Sequence, residues 1–148
     1  LKVGGLMKIG LYSELARQHI AKMREEIQQL NTETDHIGMK RFRNGVIRSK
    51  APHHKLIISS PDFHSMGSLQ DLLFHVQEHH LKIPQIQHCL TKWGPKFCGY
   101  EVGTITQDFK PTNSGEDDAY ELIKWHTYEQ AHPHAFAGMY QFWCQKVG

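Results

Sequence analysis

A short, mainly apolar run, Leu6-Met7-Lys8-Ile9-Gly10-Leu11-Tyr12, lies directly behind the Gly4-Gly5 pair and directly ahead of a helical stripe. An apolar run bounded by a glycine turn reads as a buried strand. The period then changes. Ala16, Ile20, Met23, Ile27 and Leu30 recur at intervals of four, three, four and three, which is one face of an amphipathic helix. Ser13 stands where its hydroxyl can accept a free backbone N–H and cap that helix. A strand passing at once into an amphipathic helix is how an α/β unit begins.

The same alternation continues downstream. Ile37, Phe42, Val46 and Ile47 form the expected buried face of a short second helix, and Leu56-Ile57-Ile58 reads as extended. Ser68-Leu69-Gln70-Asp71 fits a capping box ahead of the stripe Leu69, Leu72, Leu73 and Val76. Pro84 suits the first turn of another helix, whose buried side would be Ile86, Cys89, Leu90 and Trp93 and whose end is marked by Gly94. Phe97 to Val102 is a strand by composition. Ser114 through Asp117 is a second capping box, opening a helix with Tyr120, Ile123 and Tyr128. Tyr140 to Gln145 alternates aromatic and polar residues and reads as a terminal strand. Three strands separated by helices predict an α/β fold. No repeat or composition break divides the chain, so residues 1–148 are read as a single domain.

At 148 residues and 39% hydrophobic, the chain can bury a core, and whole-chain disorder is excluded by composition. Seventeen Lys and Arg against fifteen Asp and Glu leave a net charge of +2, too small for a dedicated nucleic-acid binder. Twelve histidines make that charge rise steeply in acid. Between His36 and Pro61 there is no acidic residue, while Lys40, Arg41, Arg43, Arg48, Lys50 and Lys55 all fall there. Such a stretch is either a patch for an anionic ligand or a solvated face meeting Glu116-Asp117-Asp118, and the second reading carries more weight. No apolar stretch is long enough to span a membrane. Three cysteines, Cys89, Cys98 and Cys144, with no C-x-x-C pair, predict free thiols and a cytoplasmic location.

No phosphate-binding loop, dinucleotide fingerprint, nucleophile elbow or H-E-x-x-H motif occurs. His75 and His79 are four apart on a predicted helix and could share a metal, but no supporting ligand stands nearby and no metal is expected. His53-His54 and His132-Pro133-His134 read as solvated loop histidines. Asp62-Phe63-His64 ends an apolar run, where a carboxylate and an imidazole resemble a pocket rim, with a capping turn as the plainer reading. Trp125, His126, Phe136, Tyr140 and Trp143 concentrate aromatic character near the C-terminus, more as a core than as a ligand box.

The residues also carry a resemblance. Leu1 to Ser13 resembles the L-x-P-G-G turn and fifth strand of class I S-adenosylmethionine-dependent methyltransferases, with Val3 where the family usually has proline. Ser60-Pro61-Asp62-Phe63, Asp71 to His79, Ile83-Pro84-Gln85-Ile86, Trp125-His126, Glu129, Pro133, Phe136 and Met139 to Trp143 resemble the C-terminal portion of bacterial members fused to tetratricopeptide repeats. The resemblance implies an incomplete Rossmann-like sheet: strands five, seven and six of the order 3-2-1-4-5-7-6, the last antiparallel, with an insertion at about residues 13–59. It implies a methyltransferase-like C-terminal fragment, substrate-side or scaffold, inactive alone. The donor-binding turn and acidic residue would lie upstream of Leu1, so S-adenosylmethionine belongs to the complete family enzyme and no cofactor-binding residue maps here. Asp62, His75 and His126 are the candidate catalytic residues and Phe63 the candidate substrate-binding residue. The alternative is a stand-alone, non-enzymatic interaction or small-ligand-binding module. In either case a first strand lacking its fourth-strand neighbour exposes a ladder edge, so homo-oligomerisation through it is expected.

Overall fold

The computed structural model describes residues 1–74, 78–101, 103–110, 115 and 117–148. These divide into two compact units, one of Leu1–Ala16 with His79–Gly148 and one of Arg17–Glu78. The architecture is mixed α/β, with seven α-helices and one four-stranded sheet among the described residues. No described helix is long and apolar enough to cross a membrane.

The sheet belongs to the first unit. Its strands are β1 (Leu6–Ser13), β2 (His80–Leu81), β3 (Pro95–Tyr100) and β4 (Tyr140–Lys146), in the order β2-β1-β4-β3. The final strand β4 runs antiparallel to both neighbours, so β1 and β3 are parallel to each other. Register pairs Met7 with Cys144, Ile9 with Phe142 and Leu11 with Tyr140, and these residues share one face. Cys144, Phe142 and Tyr140 are buried there, with Gln141 and Trp143 on the other face, so the alternation of β4 is the period-two pattern of a half-buried strand. Helices α5 (Ile83–Trp93), α6 (Thr104–Phe109) and α7 (Leu122–Ala131) contribute Ile83, Ile86, Leu90, Phe109, Trp125 and Tyr128 to the core on that face.

Three sequence expectations hold here. Strands form at 6–13, 95–100 and 140–146, close to the expected positions (Val102 lies outside the described residues), α5 carries Pro84 in its first turn, and Gly94 ends it in the left-handed region at φ +85°. Others need correction. His80-Leu81, assigned to no strand from the sequence, forms β2, pairing with Tyr12 and Ser13, which gives a fourth strand. Trp93, expected to be buried, is 71% exposed at the last residue of α5. Tyr120 precedes α7 in a 3-10 turn, while Ser114 and Glu116 of the expected capping box lie outside the described residues. The largest departure is β1 itself. The apolar run was read as buried, yet Leu6 is 58% and Met7 40% exposed. β4 covers one edge of β1 from Leu6 to Leu11, while β2 meets the other edge only at Tyr12 and Ser13.

The second unit is helical: α1 (Gln18–Gln29), α2 (His36–Arg48), α3 (Pro52–Ile58) and α4 (Met66–Leu69), the last continuing into a π-helical turn over Gln70–Phe74. Its core is Ile20, Met23, Ile27, Val46, Ile57, Phe63, Leu69, Leu72 and Leu73. The predicted stripe of α1 is met at Ile20, Met23 and Ile27, whereas Leu30 is exposed beyond the helix end. Ser13 does not cap α1. Its hydroxyl accepts the Ala16 N–H in a turn before the helix starts. In α2 the buried residues are Gly38, Met39 and Val46, while Ile37 and Ile47 face solvent, since its apolar positions do not share one side. Leu56-Ile57-Ile58, read as extended, is the last turn of α3, because Pro52 starts a helix that carries through it. Ser65, rather than Ser68, caps α4, accepting the Ser68 N–H. Val76 lies outside the described residues.

Candidate functional site

In the first unit, polar residues gather at the carboxyl end of the parallel strands, the end at which open α/β sheets bind ligands. Ser13 closes β1, Tyr100 closes β3 and Tyr140 opens β4. Glu129, on α7, is 2% exposed. Its Oε1 accepts the Ser13 hydroxyl at 2.6 Å and the Tyr140 hydroxyl at 2.7 Å. Ser13 also accepts the Ala16 N–H at 3.0 Å, so its hydroxyl both donates and accepts. A buried carboxylate needs such donors, because desolvation without them costs several kcal/mol. Burial, then the hydrogen bond to Glu129, pushes the Tyr140 hydroxyl far above the ordinary phenol range. Tyr100 is raised likewise by burial and by the nearby Tyr140 and Glu129. Both phenols therefore stay neutral, and in this network Ser13 and Tyr140 brace Glu129 as hydrogen-bond donors.

Beside this brace a cleft of about 430 Å³ opens, lined among others by Tyr100, Glu101, Thr104, Phe136, Met139 and Gln141. Gly99, at φ +108°, lies in the stretch between Phe97 and Tyr100 where the β3–β4 register shifts, which bends the strand just before the cleft.

In the second unit, α1 and α3 bring Glu26, His53 and His54 together. His53 Nε2 lies 2.5 Å from Glu26 Oε1, and His54 Nε2 lies 2.6 Å from Glu26 Oε2. The Glu26 carboxyl is held below its ordinary range: burial alone would raise it, but the hydrogen bonds and charges of His54 and His53 outweigh burial. The sequence reading missed this group. It placed His53-His54 in a solvated loop, whereas Pro52 begins a helix and both rings meet a carboxylate of α1. A cleft of about 470 Å³ adjoins them, lined among others by Glu26, His54, Arg41, Thr32 and Phe42.

The residues singled out from sequence do not converge. Asp62 is exposed in a 3-10 turn, and Phe63 beside it is 1% exposed in the core of the second unit. His64 Nε2 approaches the Ile58 carbonyl at 3.0 Å. His126 lies on α7 in the first unit, partly buried, with Nδ1 out of solvent and without a hydrogen-bond partner among the described residues. His75 lies outside the described residues, so the His75–His79 pair does too.

No protein-family model matches this chain, and no curated protein matches it either. The turn after β1, Glu14-Leu15-Ala16-Arg17, contains no glycine and is closed by the Ser13 hydroxyl, so that turn offers no backbone cradle for S-adenosylmethionine.

Proposed function

We propose that this chain is the C-terminal wing of a methyltransferase-type sheet, a substrate-side or scaffold part that does not bind the methyl donor by itself. The observation that carries the reading is the position of β4, which inserts antiparallel between the parallel strands β1 and β3. In the resembling family, strands five, seven and six have that arrangement. Two features support it further. The edge of β1 at Leu6–Leu11 that β4 does not cover is where a fourth strand would pair, and the cleft beside Tyr100 opens at the carboxyl ends of the strands. The Ser13–Glu129–Tyr140 brace fixes α7 against β1 and β4, so its role is to hold that end of the sheet in shape. His126, on the same helix, is the residue of this unit best kept as a substrate-side hydrogen-bonding candidate.

Isothermal titration calorimetry with S-adenosylmethionine tests the reading. The natural gene product that contains these residues is expected to bind it, and residues 1–148 alone are not. Saturable binding by residues 1–148 alone would overturn the proposal.

The second reading is a non-enzymatic module that associates with itself through β1. The exposure of Leu6 and Met7 beside a free ladder edge favours it. Size-exclusion chromatography with light scattering tests the self-association that both readings share, and a 17.1 kDa monomer counts against it, while donor binding by the natural gene product separates the two readings.

A further inference from the structure

We propose that Glu26, His53 and His54 form a binding site for a divalent transition-metal ion, with zinc as the first ion to test. The inference stands independently of the methyltransferase reading, because it concerns the helical unit alone.

Successive residues on an α-helix point about 100° apart, so neighbouring histidines ordinarily diverge. Here His53 and His54 instead converge, with ring centroids 4.4 Å apart and both Nε2 atoms on the two oxygens of one carboxylate. The three ligand atoms all lie within 4.8 Å of one another. Two imidazoles and a carboxylate are a recognised donor set for zinc and for non-haem iron. Zinc holds such atoms at about 2.0–2.2 Å, which at tetrahedral angles sets them about 3.3 Å apart. The histidines meet opposite oxygens of the carboxylate, so a metal held by one oxygen opens one of the 2.5 and 2.6 Å contacts by less than about 1 Å and draws the other imidazole across from within 4.8 Å, both side-chain adjustments.

The surroundings suit an open rather than a closed site. Three protein ligands leave a coordination position vacant. Glu26 and His54 also line the cleft of about 470 Å³, so that position faces a space large enough for water or a small ligand. Arg41 and Glu33 line the same cleft with opposite charges, so its polar lining suits water or a small neutral oxygen ligand at the remaining position. One feature limits the affinity. His54 Nδ1 is out of solvent and has no hydrogen-bond partner among the described residues, so the usual anchoring of a metal-bound imidazole from behind is missing. Loss of such an anchor weakens metal sites about 10–100-fold, so micromolar rather than nanomolar zinc binding is expected.

The test titrates the full chain, freed of metal by chelator dialysis, with zinc chloride against a chromophoric competitor. One equivalent bound at micromolar free zinc is expected, and Co²⁺ in its place should give the visible absorption of a low-coordinate site. Glu26→Gln and His53→Gln, each checked by circular dichroism for retained helix, should weaken zinc at least tenfold. His36→Gln and His88→Gln, which change histidines outside the cluster, should leave it unchanged. Unaltered affinity in folded Glu26→Gln and His53→Gln protein, or equal loss in the His36 and His88 variants, would overturn the proposal, as would the absence of any micromolar site.

Discussion

Tyr140 donates its hydroxyl to Glu129 Oε1 at 2.7 Å, joining the start of the last strand to the preceding helix. Both residues are buried, and the same oxygen takes the Ser13 hydroxyl from the end of β1. One carboxylate thus ties together a helix and the two paired strands β1 and β4. Removing a donor leaves a buried acceptor short of a partner, which costs more than an ordinary hydrogen bond. Tyr140→Phe is expected to lower stability by about 1.5–3 kcal/mol. Urea unfolding checks this, and a double-mutant cycle with Ser13→Ala should give a non-additive result, because both donors serve one atom.

The same tyrosine sets an alkaline limit. Burial, then Glu129, raise its folded-state pKa, so the neutral form is favoured in the fold. Stability from this source is fully present below the unfolded phenol value of about 10 and is lost as pH rises above it. Thermal unfolding followed between neutral pH and strongly alkaline pH should show a falling midpoint above about pH 10. Tyr140→Phe should flatten that fall.

Two glycines of α2 make opposite predictions. A Cβ on Gly38 would meet the Glu33 carbonyl oxygen at 2.3 Å and the Glu33 Cβ at 2.7 Å, with backbone that cannot swing aside. Gly38→Ala should destabilise by about 1–3 kcal/mol through overpacking. Gly45 has nothing within 4 Å, so Gly45→Ala should stabilise by about 0.5–1 kcal/mol through the lower entropy of its unfolded chain. Denaturant midpoints of the two variants check the sign directly.

The aromatic core of the first unit rests on Phe109 and Trp125, stacked with centroids 3.8 Å apart and planes 14° from parallel. Phe109 is 1% exposed and also meets Tyr128 edge-on. Phe109→Ala should cost about 3–5 kcal/mol by leaving a cavity, measured by chemical unfolding with tryptophan fluorescence as one probe.

The sequence made strands visible where period-two alternation met a turn signal. Tyr140 to Lys146 is the clearest case, with Phe142 and Cys144 inside and Trp143 outside. It could not show β2, since His80-Leu81 is too short to carry a period and is defined by pairing with Tyr12 and Ser13. Leu56-Ile57-Ile58 misled for a related reason, because β-branched residues favour strands locally while Pro52 had already started a helix. The brace was legible only in part. Glu129 and Tyr140 both fall within the blocks that carry the family resemblance, but a buried carboxylate reached by donors from distant strands has no local signature. The Glu26–His53–His54 group was hidden in the same way, since its two halves lie on separate helices.

A sheet wing requires β1 to be an interior strand in the functional protein. In antiparallel pairing only alternate amides of β1 face β4, so the rest of Leu6–Leu11 depends on another neighbour. Amide hydrogen exchange, read residue by residue in the natural gene product at its working assembly state, measures this. Protection of every amide from Leu6 to Leu11 is predicted, whereas fast exchange at alternate residues, as for an uncovered edge, would contradict it.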